Sequence, residues 1–309
     1  MLSIERDISL APYSTFKIGG LADFFVAVST ASELIEALEF ATNNALKTLV
    51  FSGGSNLLIA DQGFRGLVIR IVGDAARISG RDIAADAGIP LLSVVQLATS
   101  HGLAGLERLA GIPGSLGGAI RGNAGAFGAE MKDVVLSVKA YDQEAETLRE
   151  FSAKQCAFAY RQSYFKTHPA LIILSATLRF DEWNAAELGR IAQETIRVRE
   201  AKHPQSARCA GSFFMNPIVT DETLREEFAH DTGKVPKDNK LPAGWLIDYV
   251  GLRGKVIGGA QVSPHHPNYI INTGQATAEQ VIMLASLVKQ RVRDELGIQL
   301  KEEVQLVGF

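Results

Sequence analysis

At 309 residues the chain has room for two or three domains, and 47% hydrophobic with 21% charged residues marks an ordinary globular protein with a real core. A formal net charge of -3 and a pI near 6.1 exclude the basic footprint of a nucleic-acid binder. No run approaches the roughly 18 continuous apolar residues of a membrane span, and the charged start Met1-Leu2-Ser3-Ile4-Glu5-Arg6-Asp7 lacks an apolar signal core.

In chain order, residues 23–28 read as a strand and 31–46 as a helix with Thr30 as its N-cap. Residues 48–51 and 66–71 are β-branched or aliphatic runs bounded by glycine turns, the first opening into Ser52-Gly53-Gly54-Ser55-Asn56. Residues 83–88 end another strand, and 91–102 carry helical spacing at Leu92, Val95, Leu97 and Ala98. The segment 111–128 then holds seven of the 29 glycines. Strands follow at 134–141, 147–152 and 171–180, then a helix at about 185–201 and a hinge near His203-Pro204. The second part contains 211–217, a glycine-rich strand region at 256–263, and a strand at 269–272. A helix over 277–296 and a final strand over 299–307 close the chain. Strands and helices without regular alternation predict an α+β fold.

Glycine costs backbone entropy, so two dense glycine loops, each leaving an apolar run, need a reason. Together they predict a cradle of peptide N–H groups for a phosphate or pyrophosphate of a nucleotide-like cofactor, although the short loop alone reads better as a tight turn. No two glycines are separated by a single residue, so the G-x-G-x-x-G fingerprint is absent. Gly233-Lys234 and Gly254-Lys255 lack the upstream glycine of a Walker A loop. A dinucleotide would therefore sit on a non-Rossmann scaffold. Cys156 and Cys209 have no C-x-x-C spacing and are expected as reduced core or near-site thiols, which fits a reducing cytoplasm. Six histidines form no i, i+4 pair, and no metal is expected.

Three polar clusters could carry chemistry. Tyr160-Arg161-Gln162-Ser163-Tyr164-Phe165-Lys166 lies between strands; its arginine could fork onto a carboxylate or phosphate, though the heptapeptide alone better fits an arginine tying down a loop. Gly211-Ser212-Phe213-Phe214-Met215-Asn216-Pro217 places a hydroxyl in an apolar wall, without the G-x-S-x-G context of a serine nucleophile. That hydroxyl could donate a proton, or simply satisfy backbone at a strand edge. On the terminal strand, Glu302 and Glu303 must face opposite ways. Alternation puts Glu302 with Leu300, Val304 and Leu306, and sends Glu303 to the polar face.

These clusters, with Tyr13-Ser14-Thr15-Phe16-Lys17-Ile18-Gly19-Gly20, the two glycine loops and Ala243-Gly244-Trp245-Leu246-Ile247-Asp248, resemble in order and context the UDP-N-acetylenolpyruvoylglucosamine reductase (MurB) family. The resemblance covers nearly the whole chain. It implies a vanillyl-alcohol-oxidase-type FAD-binding domain over about 1–190, with two subdomains split near 75, followed by a substrate-binding α+β domain over 191–309. It implies non-covalent FAD, NADPH as hydride donor and a UDP-sugar enolpyruvyl ether as substrate, reduced to UDP-N-acetylmuramate in cytoplasmic cell-wall synthesis. No nucleic acid, membrane or obligate protein partner is implied. By motif matching, FAD contacts fall at Gly53, Gly54, Ser55, Asn56, Pro113, Gly114, Ser115, Gly118, Ala119 and Asn123. The catalytic groups fall at Arg161, Ser212 (proton donor) and Glu303, and substrate contacts at Tyr160, Asn216, Arg253 and His266.

The chain lacks the tyrosine-bearing insertion that the longer subgroup places between the arginine and serine segments, so it resembles the shorter subgroup. Two rival readings differ in class. A flavin oxidase on the same scaffold often holds FAD through a histidine in the glycine loop, and residues 52–56 have none. A non-catalytic flavin-binding protein has no need of Arg161, Ser212 and Glu303 together.

Overall fold

β-Branched and aromatic residues favour the pleat, and two glycines leave it. In a computed structural model of the chain the strand is accordingly Thr48–Phe51, ending where the short glycine loop begins. The structure describes residues 2–202 and 206–309, and the expected hinge at His203-Pro204 lies outside them. Two compact units divide the chain: Met1–Ile8, Ala22–Gly54 and Arg65–Ala201 form the first, and Ser9–Leu21, Ser55–Phe64 and Lys202–Phe309 the second.

The first unit holds two sheets. One orders Glu5–Ser9, Leu21–Val28, Phe64–Ile71 and Thr48–Phe51, with the last two parallel. The other is a five-stranded antiparallel sheet in the order Thr147–Ser152, Val135–Asp142, Leu171–Arg179, Asp82–Asp86 and Ala76–Ser79. Helix Ala31–Asn43 starts on a reciprocal cap: Thr30 Oγ accepts from the Glu33 N–H, and the Glu33 carboxylate accepts from the Thr30 N–H. It stops short of residue 46 because Ala45, at φ +52°, turns the chain out of the helix. Leu91–Ser100 buries Leu91, Val94 and Val95 completely in the same core as Leu116, Val138 and Leu178.

In the second unit the amphipathic helix Ala278–Leu296 buries Val281, Leu284, Val288 and Val292. Each such side chain contributes about 1.5–3 kcal/mol through burial. Its first turn is capped twice, by Thr277 and by the Asp61 carboxylate, which accepts from the Ala278 and Glu279 N–H groups at 2.9 and 3.1 Å. Phe16, Ile18 and Leu58 complete this core from segments far earlier in the chain. Thr15 Oγ1 donates to the Cys209 carbonyl and Asn272 Nδ2 to the Phe16 carbonyl, tying the first of those segments down.

The glycine-rich region near 256–263 is a hairpin, Val256–Ile257 with Ala260–Val262, extended by Ile270–Asn272. The terminal strand differs from the expected 299–307. Only Gln305–Val307 is a strand, paired in parallel with Leu57–Ile59, and a bend at Val304 resets the alternation. Leu300 and Val304 are buried, but Leu306 is 45% exposed and Val307 takes the inward place. Among the described residues four α-helices have no forerunner in the sequence expectations: Leu116–Arg121 inside the long glycine segment, Tyr164–Thr167, Glu222–Thr232 and Ala243–Tyr249.

Candidate functional site

The expected residues form two groups, one in each unit. In the first unit the two glycine loops touch. A Cβ on Gly53 would stand 2.7 Å from Gly114 Cα and 3.0 Å from the Ser115 nitrogen, so glycine there is required by one backbone lying on another. The long loop is pinned to its own unit through the Leu91 N–H to the Gly114 carbonyl and the Gly117 N–H to the Ala87 carbonyl. Ser115 is buried and caps Leu116–Arg121, its hydroxyl accepting from the Gly118 N–H. Ala119 points inward, whereas Pro113 and Gly118 lie on the surface.

Gly118 is the informative glycine of this group. It sits inside a helix, where glycine costs about 1 kcal/mol against alanine. A Cβ there would meet nothing closer than Ser115 Oγ at 3.5 Å. Internal packing gives no reason for its bareness, so the surface of this helical turn is left open for something outside the chain. Arg121, three residues on and on the same side of the helix, was not flagged by the sequence. Burial lowers its pKa, and its guanidinium makes no hydrogen bond or ion pair among the described residues.

Arg161 occupies a built position. Its φ is +55°, a left-handed conformation costing an arginine roughly 1–2 kcal/mol. Reciprocal hydrogen bonds between Ala159 and Gln162 close the turn that carries it. Lys166 Nζ donates to the Arg161 carbonyl at 2.8 Å, and Arg161 Nη2 donates to the Gly125 carbonyl at 3.0 Å. The guanidinium carbon lies 5.4 Å from the centre of the Tyr160 ring. Asn123, expected at the cofactor, is fully buried and bonded to three protein groups, so its side chain offers no surface to a ligand.

The second unit brings Ser212, Glu303 and Asn56 onto adjoining backbone. Segment 212–215 is held on one side by Asn268, whose carbonyl accepts from the Phe213 N–H and whose side chain pairs with both backbone groups of Phe214. On its other side the Glu303 N–H donates to the Phe213 carbonyl at 2.8 Å, and the Met215 N–H to the Lys301 carbonyl. Asn56 Nδ2 donates to the Glu303 carbonyl, and the Gln305 N–H to the Asn56 carbonyl. Ser55 precedes this junction, half-buried. The Ser212 hydroxyl makes no hydrogen bond to the protein among the described residues.

The remaining expected contacts are spoken for within the unit. Arg253 grips Asp248 through Nε and Nη2, and its Nη1 donates to the Pro264 carbonyl; the Asp248 bond raises the arginine's pKa further. Asn216 Oδ1 accepts from the Ala243 N–H at the start of Ala243–Tyr249. The His266 ring packs 4.8 Å from Tyr269, and its edge stands 3.4 Å from where a Cβ on Gly244 would lie. Cys156 and Cys209 are both free and buried, and burial pushes the Cys156 thiol to about 11.

Away from these groups, a groove of about 520 Å³ in the first unit is lined by Thr30, Asp86, Lys139 and Arg149, among others. It holds none of the expected site residues, and Arg149 is already paired with Asp142. No group of three or more metal-binding side chains occurs among the described residues.

Comparison with known proteins matches two stretches of the chain. Residues 22–150 match an FAD-binding domain, and 203–307 match the C-terminal domain of UDP-N-acetylenolpyruvoylglucosamine reductase. The reductase of Solibacter usitatus is 39% identical over 99% of this chain and 97% of its own length. That of Paramagnetospirillum magneticum is 40% identical over 98% and 91%. The crystal structure of the Thermus caldophilus reductase, MurB, superposes with a TM-score of 0.79 at 32% identity, covering 99% of this chain and all of that one. The chain therefore belongs to the UDP-N-acetylenolpyruvoylglucosamine reductase family.

Proposed function

We propose that the protein uses FAD and NADPH to reduce the enolpyruvyl ether of UDP-N-acetylglucosamine to the lactyl ether of UDP-N-acetylmuramate. The observation that carries this reading is the Glu303–Phe213 backbone bond. It sets the expected proton donor Ser212 and the expected carboxylate on adjoining segments of a domain that matches the reductase family.

The residues of the first unit fit the cofactor. Gly118 leaves a helical turn bare for no internal reason, and the two glycine loops lie against each other. By the motif matching, Gly53, Gly54, Ser55, Asn56, Pro113, Gly114, Ser115 and Gly118 would hold FAD. When bound, FAD supplies the hydride chemistry, taking a hydride from NADPH and giving it to the vinyl carbon. Addition at that carbon places charge beside the substrate carboxylate. Arg161, held by Gly125 and Lys166, is the preorganised donor for that charge, the arrangement that lowers such barriers most. Glu303 assists at the same enol-like centre. Ser212 then gives its hydroxyl proton to the adjacent carbon, completing the saturated ether. Tyr160, Asn216, Arg253 and His266 bind the nucleotide sugar, with Arg253 exchanging a protein partner for a phosphate as it does so.

No helix among the described residues is long and apolar enough to cross a membrane. Two buried free thiols suit a reducing cytoplasm. There we place the reaction, as a step of peptidoglycan synthesis serving cell-wall growth, shape and division.

The direct test is anaerobic. NADPH should bleach the bound flavin, and the enolpyruvyl nucleotide should then restore its colour; flavin that stays bleached overturns the assignment. Denaturation should release all the flavin, whereas flavin retained on the precipitated chain would indicate a covalently flavinylated oxidase. Gly118→Ala separates ligand from fold. It should stabilise the apoprotein by up to about 1 kcal/mol through helix propensity while weakening FAD binding. An unchanged FAD affinity in that variant would remove Gly118 from the cofactor site.

A further inference from the structure

Asn123 and Glu130 close a ring of interactions around Arg161 that the reaction outlined above does not use. Asn123 is completely buried and sits at φ +43°, a conformation asparagine tolerates better than most residues. Both hydrogens of its amide are committed, one to Glu130 Oε2 and one to the Ala159 carbonyl, each at 2.9 Å. Its Oδ1 accepts from the Lys132 N–H at 3.0 Å. Ala159 opens the turn that carries Arg161.

The other half of the ring runs through Glu130. This residue pairs with Gly125 across the short hairpin of Gly125–Ala126 and Ala129–Glu130, and Gly125 presents the carbonyl that holds Arg161 Nη2. Burial raises the Glu130 pKa, but hydrogen bonds from Lys132 and Asn123 and the charges of Lys132 and Arg161 outweigh it, so the carboxyl lies below its usual range. A carboxylate is thus kept ionised beside the turn, with Lys132 Nζ on it at 2.8 Å. The backbone of Arg161 is fixed through Asn123 and its fork through the Glu130 hairpin.

We infer that Asn123 and Glu130 are positioning residues for Arg161, acting on the substrate carboxylate only through that guanidinium and making no contact with the cofactor. The inference rests on the proposed role of Arg161, and its test keeps the two apart. Asn123→Asp keeps the shape but turns two donated hydrogen bonds into oxygen–oxygen repulsions. It should slow flavin reoxidation by substrate about 10²-fold, the scale of an ångström's misplacement of a catalytic group. Reduction of the flavin by NADPH and the affinity for FAD should stay within about twofold, the scatter of independent sites. The deciding measurement is the cycle with Arg161→Lys. Once Arg161 is displaced, Asn123→Asp should cost nothing further, so the double variant should match Arg161→Lys alone.

Multiplicative losses in the double variant would overturn the inference, as would a weakened FAD affinity with normal reoxidation. If Asn123→Asp does not fold, Asn123→Gly replaces it, since glycine accepts the same φ without the side chain. Glu130→Gln gives a third arm that keeps the shape and removes the charge, and it too should add nothing to Arg161→Lys. An Arg161→Lys variant with undiminished reoxidation would instead sink the role of Arg161 itself.

Discussion

Ser212→Ala is expected to leave reduction of the flavin by NADPH nearly intact and to slow its reoxidation by the enolpyruvyl nucleotide about 10²–10⁴-fold, the range for loss of a general acid. In the proposed scheme the proton is needed only after the hydride has reached the vinyl carbon. Stability should change by no more than about 0.5 kcal/mol, because the hydroxyl has no protein hydrogen bond to lose. The backbone around it is set by Phe213, Phe214 and Asn268, none of which depends on the serine side chain. Stopped-flow absorbance of the two half-reactions gives the answer. Equal slowing of both would make Ser212 a structural residue and remove the proton donor from the proposed scheme.

The second large effect separates two adjacent carboxylates. Glu302 Oε1 accepts from Lys289 Nζ of helix Ala278–Leu296 at 2.7 Å, with about a third or more of each side chain exposed. Ion pairs of that kind contribute about 0–1 kcal/mol, so Glu302→Gln should alter activity little and stability by no more than that. Glu303→Gln should abolish most substrate-dependent reoxidation while FAD and fold remain. Its backbone bonds to Phe213 and Asn56 do not involve the carboxylate and survive the change. A dead Glu302 variant beside an active Glu303 variant would reverse the assignment.

The sequence leads one to expect adjacent carboxylates on extended backbone to diverge. The face beyond them was not legible there. Alternation carried past Val304 places Leu306 inside, and the bend there instead turns Val307 inward, because parallel pairing with Leu57–Ile59 sets the register of the last strand. Local signals served well where chemistry is local. Thr30 with Glu33, and Thr277 with Gln280, are spaced to cap a helix and do so. The helix Leu116–Arg121 was hidden by Gly117 and Gly118, which argue against a helix in any propensity scale. Arg121 was hidden with it.

The same limit applied to Asn123. Its place in a glycine-rich motif suggested a ligand contact, yet its side chain is taken up by Glu130 and Lys132 at the hairpin just after it and by Ala159, which comes from a distant segment. Residues 9–21 and 55–64 join the second unit through contacts such as Asp61 with Ala278 and Asn272 with Phe16, which no local pattern announces. Their motifs were readable, but their destination was not.

The pairing of Leu57–Ile59 with Gln305–Val307 also sets an order of events at the ribosome. The partners are 305 − 57 = 248 positions apart. At about 5–20 residues per second, the early strand waits roughly 10–50 s for its mate to be made. All three of its side chains, Leu57, Leu58 and Ile59, are buried in the finished protein. A nascent chain stalled before Gln305 therefore carries an apolar strand with an unmatched edge, the kind of surface that recruits other chains.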